Sequence, residues 1–241
     1  MPLGFCVQES FLPHLLRSVS KGRLYRIHRT KHFPIIVTKT ITIFDRITVR
    51  GLMKTLKERI LSEGLVLSGN ILKVDGFLNH QIDVELLNEI GKTFYERFKD
   101  LKIDKILTIE ASGIAIAVIA AQYFKVPVVF AKKNESLLNS DQQWVTSIHS
   151  YTKNKTARVQ VSKSYLKDNE AILILDDFLA NGEAAFGLID LITQAKAKVA
   201  GIGIVIEKGF QEGGKLLRAQ GYRLESLAII ENLDEKGIKF R

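Results

Sequence analysis

A chain of 241 residues, 46% hydrophobic and 25% charged, carries enough apolar material for one sizeable core, with or without an appendage. No apolar run approaches the roughly 20 residues of a membrane-spanning helix; the longest, Ile114 to Ala121, is far shorter, so the chain reads as soluble, without a membrane partner. A single cysteine, Cys6, excludes an internal disulfide and a cysteine-based metal site; it reads as a stray residue in a variable end, and a reducing cytoplasm is the natural compartment.

The formal net charge of +9 raises the question of nucleic acid. Nine Lys/Arg against only Glu9 and Asp45 fall within residues 1–52, so seven of the nine net charges sit there and the remainder of the chain is nearly neutral. Basicity therefore belongs to an N-terminal extension and not to the functional domain. Residues 1–52 also hold three of the four prolines (Pro2, Pro13, Pro34), and no helical face persists through them. Phe33 to Val49 is rich in Ile, Val and Thr and could pair as strands, but nothing there resembles a catalytic cluster. An Arg-rich, acid-poor leader has the composition of an organellar transit peptide. The reading preferred here is that translation naturally begins at Met53, which leaves 53–241 as the functional domain.

From Met53 the pattern becomes regular. Met53 to Glu63 predicts an amphipathic helix with Leu56, Ile60 and Leu61 on one face and Gly64 as its stop. Val84, Leu87, Ile90, Phe94 and Phe98 predict a second. Short apolar strands then alternate with helices: strands at Lys105–Ile109, Val126–Phe130, Ala171–Leu175, Val199–Ile206 and Leu224–Ile230, and helices at Ile114–Phe124, Glu183–Ala195 and Glu212–Gln220. Such alternation implies an α/β fold, a parallel sheet flanked by helices, with its ligand at the carboxyl ends of the strands. One interval breaks the rhythm. About forty residues between Ala131 and Ala171 show no helical period, with a strand expected only at Ala157–Val161; loops that long are usually functional or disordered. This segment carries Lys132, Lys133, Trp144, His149, Tyr151, Lys153 and Lys155, and reads as a mobile cover for a site, or as a plain surface hairpin.

The most informative string runs from Ala171 through Asp176, Asp177, Ala180, Asn181, Gly182, Glu183 and Ala184. A buried strand enters two adjacent carboxylates, then a small-residue turn, then a helix. The carboxylates can accept hydrogen bonds from vicinal hydroxyls such as those of a ribose. The turn lets backbone N–H groups close around a phosphate, and the following helix presents its positive end to the same anion. Alone, an Asp pair after a strand is equally an N-cap or a metal ligand. A second strand–turn–helix, Thr108 to Ile114 through Glu110, Ala111, Ser112 and Gly113, could be a second anion-binding turn or an ordinary helix start with Ser112 as its cap.

With its strand and its Ala-Asn-Gly turn, the first string resembles the phosphoribosyl pyrophosphate (PRPP) motif of type I phosphoribosyltransferases. Three segments narrow the resemblance. Leu72 to Asp83, Asp176 to Gly182, and Gly201 to Lys208 are together similar to bacterial xanthine phosphoribosyltransferases, across essentially all of 53–241. The resemblance implies a parallel Rossmann-like sheet with a small hood and a long flexible loop. It also implies transfer of the phosphoribosyl group of PRPP to N9 of xanthine, giving XMP and pyrophosphate in purine salvage. Asp176 and Asp177 would orient the ribose, 180–184 would bind a phosphate of PRPP, and the Ala111, Ser112 and Gly113 amides the pyrophosphate. Leu72 and Asn79 would contact the purine, and Lys208 would donate to one of its carbonyls. Without the family, Asn79 is a turn residue and Lys208 a solvated strand-end cation. Magnesium would arrive with PRPP, with no dedicated protein cage, and a homodimer is expected. The family typically has Ser where Ala111 stands, a small departure in a turn that works through its backbone. His149 as a general base is weaker than its reading as a plain loop histidine. Two rivals remain: a PRPP-sensing transcription regulator built on the same fold, and a transferase for hypoxanthine, guanine or adenine.

Overall fold

The computed structural model describes residues 55–68, 70–133, 142–150, 155–234 and 237–241, all within one unit that begins at Lys39. The readings made for residues 1–52 lie outside the described residues. Helix α1 (residues 55–63) opens the described chain. Leu56 and Ile60 are fully buried, whereas Leu61, expected on the same face, is 57% exposed. At about 100° per residue, Leu61 stands too far around the helix from Leu56 to share its stripe. A short hairpin follows, β1 (Leu65–Leu67) and β2 (Ile71–Lys73), then a single π-helical turn at Asp75–Asn79.

Helix α2 (Val84–Phe98) is capped by Asp83, whose Oδ1 accepts from Leu86 N at 3.0 Å. Its heptad-spaced Leu87, Ile90, Phe94 and Phe98 are buried as expected. Val84, in the first turn, lies beyond the packed face and is 65% exposed. Then come β3 (Lys105–Ile109), α3 (Ser112–Phe124), β4 (Val128–Ala131), the hairpin β5 (Gln143–Ser150) and β6 (Lys155–Ser162), β7 (Ala171–Leu179), α4 (Glu183–Gln194), β8 (Lys198–Lys208), α5 (Gly213–Ala219), β9 (Leu224–Asp234) and β10 (Gly237–Phe240).

Six strands form one sheet in the order β10-β9-β8-β7-β3-β4, parallel except for β10 at the edge. This is the parallel α/β sheet expected from the alternating pattern. The central strands β3, β7 and β8 are covered on both faces, which explains their continuous apolar runs. One core packs α2 and α3 onto Leu173, Leu175 and Val205. The other packs α4 and part of the β5–β6 hairpin onto Leu107, Ile172, Ile174 and Ile202.

Two strand boundaries differ informatively from expectation. β4 begins at Val128, two residues late, because Pro127 has no N–H for the ladder; its carbonyl accepts from Ile106 N at 3.0 Å. β7 continues through both aspartates to Leu179, where the sequence suggested an end at Leu175. Phe178 and Leu179 still find ladder partners in Ile206 and Glu207 of β8, and that pairing overrides the poor strand propensity of Asp.

The chain passes from β3 outward to β4, then returns to place β7 on the other side of β3. The β3/β7 boundary is therefore the topological switch point, where open α/β sheets hold their ligands at the strands' carboxyl ends. Both candidate anion-binding turns leave those two strands.

Candidate active site at the sheet switch point

Asp176 and Asp177 stand near the end of β7 in different surroundings. Asp176 is 7% exposed and Asp177 half-buried. Each accepts a hydrogen bond from the next backbone N–H: Asp177 N to Asp176 Oδ1 at 3.0 Å, and Phe178 N to Asp177 Oδ1 at 2.8 Å. These local bonds fix both carboxylates against the strand. Burial, reinforced by the negative charge of Asp177, pushes the Asp176 carboxyl well above its ordinary value.

The turn after β7 makes its bend at Gly182, whose φ of 98° is open to glycine at no steric cost. Gly182 is also the N-cap of α4, without a side-chain cap, so the first amides of that helix have no side-chain competitor for an anion. Ala180, Asn181, Glu183 and Ala184 are half-buried around it.

The turn after β3 contains a cis peptide bond, Glu110–Ala111. Ala111, and not Ser112, is the N-cap of α3, and it makes no side-chain cap bond. The reading of Ser112 as an ordinary cap is thereby removed. Gly113 brings the two turns together: a Cβ there would lie 2.0 Å from Thr108 Oγ1 and 2.9 Å from Asp176 Oδ1. Thr108 Oγ1 is buried without a hydrogen-bond partner, and the sequence pattern offered no sign that it would face the carboxylate pair.

Lys208 ends β8, next to β7. Its Nζ donates to Asn70 O at 3.2 Å and lies 5.9 Å from the centroid of the Phe178 ring. Burial lowers its pKa below the ordinary lysine value, so it is not a freely solvated cation. Asn70 belongs to the β1–β2 segment, so this bond ties Lys208 to the stretch that carries Leu72 and Asn79. Leu72 is buried in the core cluster that Phe178 packs against. Asn79 closes the π-helical turn, and its Oδ1 is buried with no partner. A buried acceptor left unpaired is costly, and a ligand N–H would relieve it. Phe178 is the residue that sequence reasoning passed over here, because a Phe after a strand looks like core.

The interval between β4 and β7 is less loop-like than expected. Its β5–β6 hairpin runs in register from Gln143 opposite Ser162 to Ser150 opposite Lys155. Trp144, expected in a cover, packs instead into the core, with Nε1 donating to Leu166 O at 3.3 Å. Gln194 of α4 donates to Val145 O at 2.9 Å. Lys132 is bridged to Gln160. The side chains of His149 and Lys155, and residues 151–154 with Tyr151 and Lys153, lie outside the described residues. A recess of about 860 Å³ runs between β4 and β6, lined by Lys105, Phe130, Tyr165 and Glu170, away from the paired aspartates.

Among the described residues no three His, Cys, Asp or Glu side chains gather to hold a metal, and no helix is long and apolar enough to cross a membrane.

Residues 80–228 match the family model of the phosphoribosyl transferase domain. The chain is similar to a xanthine phosphoribosyltransferase of Clostridioides difficile, with 60% identity over 190 residues, 78% of this chain and 100% of that protein. A xanthine phosphoribosyltransferase of Laribacter hongkongensis is 58% identical over 189 residues, again across its whole length. In fold the chain is similar to the adenine phosphoribosyltransferase of Rhodothermus marinus, at a TM-score of 0.63 and 22% identity, covering 75% of this chain and 99% of that one.

Proposed function

Because the chain belongs to the phosphoribosyltransferase family, within its xanthine phosphoribosyltransferases, we propose that it transfers the phosphoribosyl group of PRPP to N9 of xanthine, releasing pyrophosphate and XMP. One observation carries the reading. At the switch point of the sheet, the carboxylate pair of β7 and the glycine turn of β3 meet, with Asp176 Oδ1 2.9 Å from where a Gly113 Cβ would be. That arrangement suits one ligand with a ribose between two anionic arms.

In this scheme Asp176 and Asp177 hold the ribose hydroxyls. The amides of 180–184 hold the 5′-phosphate, and those of Ala111, Ser112 and Gly113 hold the pyrophosphate. The C1′–oxygen bond to pyrophosphate breaks as the C1′–N9 bond forms, through a state with positive charge on the ribose and growing negative charge on the leaving group. The protein's part is positioning and electrostatic stabilisation by oriented amides, with no covalent intermediate required. Magnesium fits a substrate-carried role: PRPP oxygens and at most one or two carboxylates would hold it, Asp177 being the more open of the pair. When bound it neutralises charge on the pyrophosphate. Lysines from the interval between Ala131 and Ala171 reaching the leaving group, and excluding water there, belong to the same proposal.

The base assignment rests on Asn79 and Lys208. Xanthine carries a second carbonyl that hypoxanthine lacks. Lys208 can only donate, which suits a carbonyl, and the unpaired Asn79 Oδ1 suits a purine N–H. A site with such groups rejects an analogue that leaves them unpaired.

A cytoplasmic homodimer with residues 53–241 as the catalytic domain completes the proposal. Exposed apolar Ile82, Val84 and Val118 between α2 and α3 support self-association, and sedimentation should return twice the chain mass. The decisive assay is steady-state turnover with PRPP and magnesium, comparing xanthine, guanine, hypoxanthine and adenine. The expected kcat/KM favours xanthine by roughly 100-fold or more over hypoxanthine, with adenine last. Preference for another purine would overturn the roles of Asn79 and Lys208.

A further inference from the structure

The reaction scheme leaves an ion pair with a buried carboxylate unused. Glu207, one residue before Lys208 on β8, is 2% exposed. Arg218 of α5 grips it as a fork, Nη1 to Oε1 and Nη2 to Oε2, each at 2.7 Å. The Ser226 hydroxyl of β9 also donates to Oε2. Burial pushes the Glu207 carboxyl up, but the guanidinium and the hydroxyl outweigh it and hold the carboxyl below its ordinary value. Only the carboxylate is buried, the Arg218 side chain being 39% exposed, and burying a carboxylate costs desolvation that its partners must offset, so its position invites another explanation.

What the pair holds is the start of α5. A Cβ on Gly214 would come 2.1 Å from Glu207 Oε1 and 2.8 Å from Arg218 Nη1. The preceding residue meets the phosphate turn. Gly213 N donates to Ala180 O at 3.1 Å, and a Cβ on Gly213 would lie 2.5 Å from Ala180 O and 2.6 Å from Gly182 N. Two consecutive glycines thus fill the gap between the ion pair and the backbone of the turn.

We propose that Glu207 and Arg218 are positioning residues for the phosphate turn, acting through Gly213 of α5 to set the Ala180–Gly182 backbone for the 5′-phosphate of PRPP. The proposal rests on the reading of 180–184 as the phosphate turn. The end of β8 then serves both substrates: Lys208 reaches the base, and Glu207 fixes, at one remove, the grip on the phosphate.

Four variants of the full chain test it: Gly213→Ala, Arg218→Met, Arg218→Lys and, as a direct probe of the turn, Ala184→Asp. The readouts are KM for PRPP and for xanthine, equilibrium binding of ribose 5-phosphate and of inorganic pyrophosphate, and Tm. Gly213→Ala and Arg218→Met should raise KM for PRPP and weaken ribose 5-phosphate about tenfold or more, since ångström-scale misplacement of a binding group can cost that much. KM for xanthine and pyrophosphate binding should stay near wild type. Arg218→Lys should fall between, because an ammonium cannot reproduce the fork. Gly213→Ala leaves the ion pair intact and tests the contact of α5 with the turn, while Arg218→Lys tests the pair itself if Arg218→Met does not fold. If Ala184→Asp abolishes ribose 5-phosphate binding while Gly213→Ala keeps it, the positioning role is overturned and the turn assignment stands. Parallel weakening of all ligands with a fall in Tm would also overturn it, in favour of a purely structural pair. If Ala184→Asp binds ribose 5-phosphate normally, the phosphate-turn reading falls, and the proposal with it.

Discussion

Asp176 holds its proton to higher pH in the folded chain than in the unfolded one, because it is buried and because Asp177 is beside it. Between the ordinary carboxylate range and that raised value, the unfolded chain has released a proton the native state keeps, so Asp176 draws down stability as pH rises through the window. Asn is uncharged and nearly isosteric. Asp176→Asn should therefore leave Tm unchanged or raise it, and flatten its decline with pH. It should also lower kcat/KM for PRPP by roughly 10- to 100-fold, the worth of a hydrogen bond to a charged group. A thermal melt across pH alongside steady-state kinetics checks both halves. Lys208 titrates in the opposite sense. Burial lowers its pKa, so its charge is lost earlier on the alkaline side than an ordinary lysine's. The kcat/KM for xanthine should fall along that limb. In Lys208→Gln the limb should vanish, with a loss of roughly 10- to 100-fold at neutral pH and KM for PRPP little changed.

At the scale of elements, α2 shows how one side chain joins a helix to its neighbour. Asp83 caps α2 through Leu86 N and receives Arg59 of α1 at 2.8 Å. The Leu86 N–H first, and Arg59 second, hold its carboxyl below the ordinary value. A depressed carboxyl stabilises the fold above its unfolded pKa, and that contribution is lost as pH falls through the folded value. Asp83→Ala should cost about 1 kcal/mol for the cap, read as a Tm lowered by roughly 2–4 °C for a domain of this size. Asp83→Asn, which keeps the cap but not the charge, should retain most of it. The elements with strong periodicity, α2, β3, α4 and β8, were legible because their apolar residues recur at one spacing. The strands β1, β5 and β10 were not, since Gln143 to Ser150 is polar along much of its length and becomes a strand only when paired with β6.

For the whole molecule, the proposal that residues 53–241 form the catalytic domain makes a direct prediction. Residues 53–241 alone should turn over xanthine with PRPP at a kcat/KM close to that of the full chain. Turnover that needs residues 1–52 would contradict the domain reading. The regulator alternative predicts a gel shift with duplex DNA that weakens steeply with salt through counterion release. The expected result is no salt-steep shift and full turnover.

The amino-acid sequence by itself determined the α/β class, the two strand–turn–helix strings and the family resemblance, because each depends on residues close together along the chain. Apolar period, small-residue turns and paired carboxylates are local facts. Only the tertiary structure decided that Gly113 closes on Asp176, that β7 runs on through its aspartates, that Lys208 is tied to the β1–β2 segment through Asn70, and that the Glu207–Arg218 pair meets α5 at Gly214. Those contacts join residues far apart in the chain, and they arise from the order in which the strands pair and the helices cover them. No window of sequence contains that order.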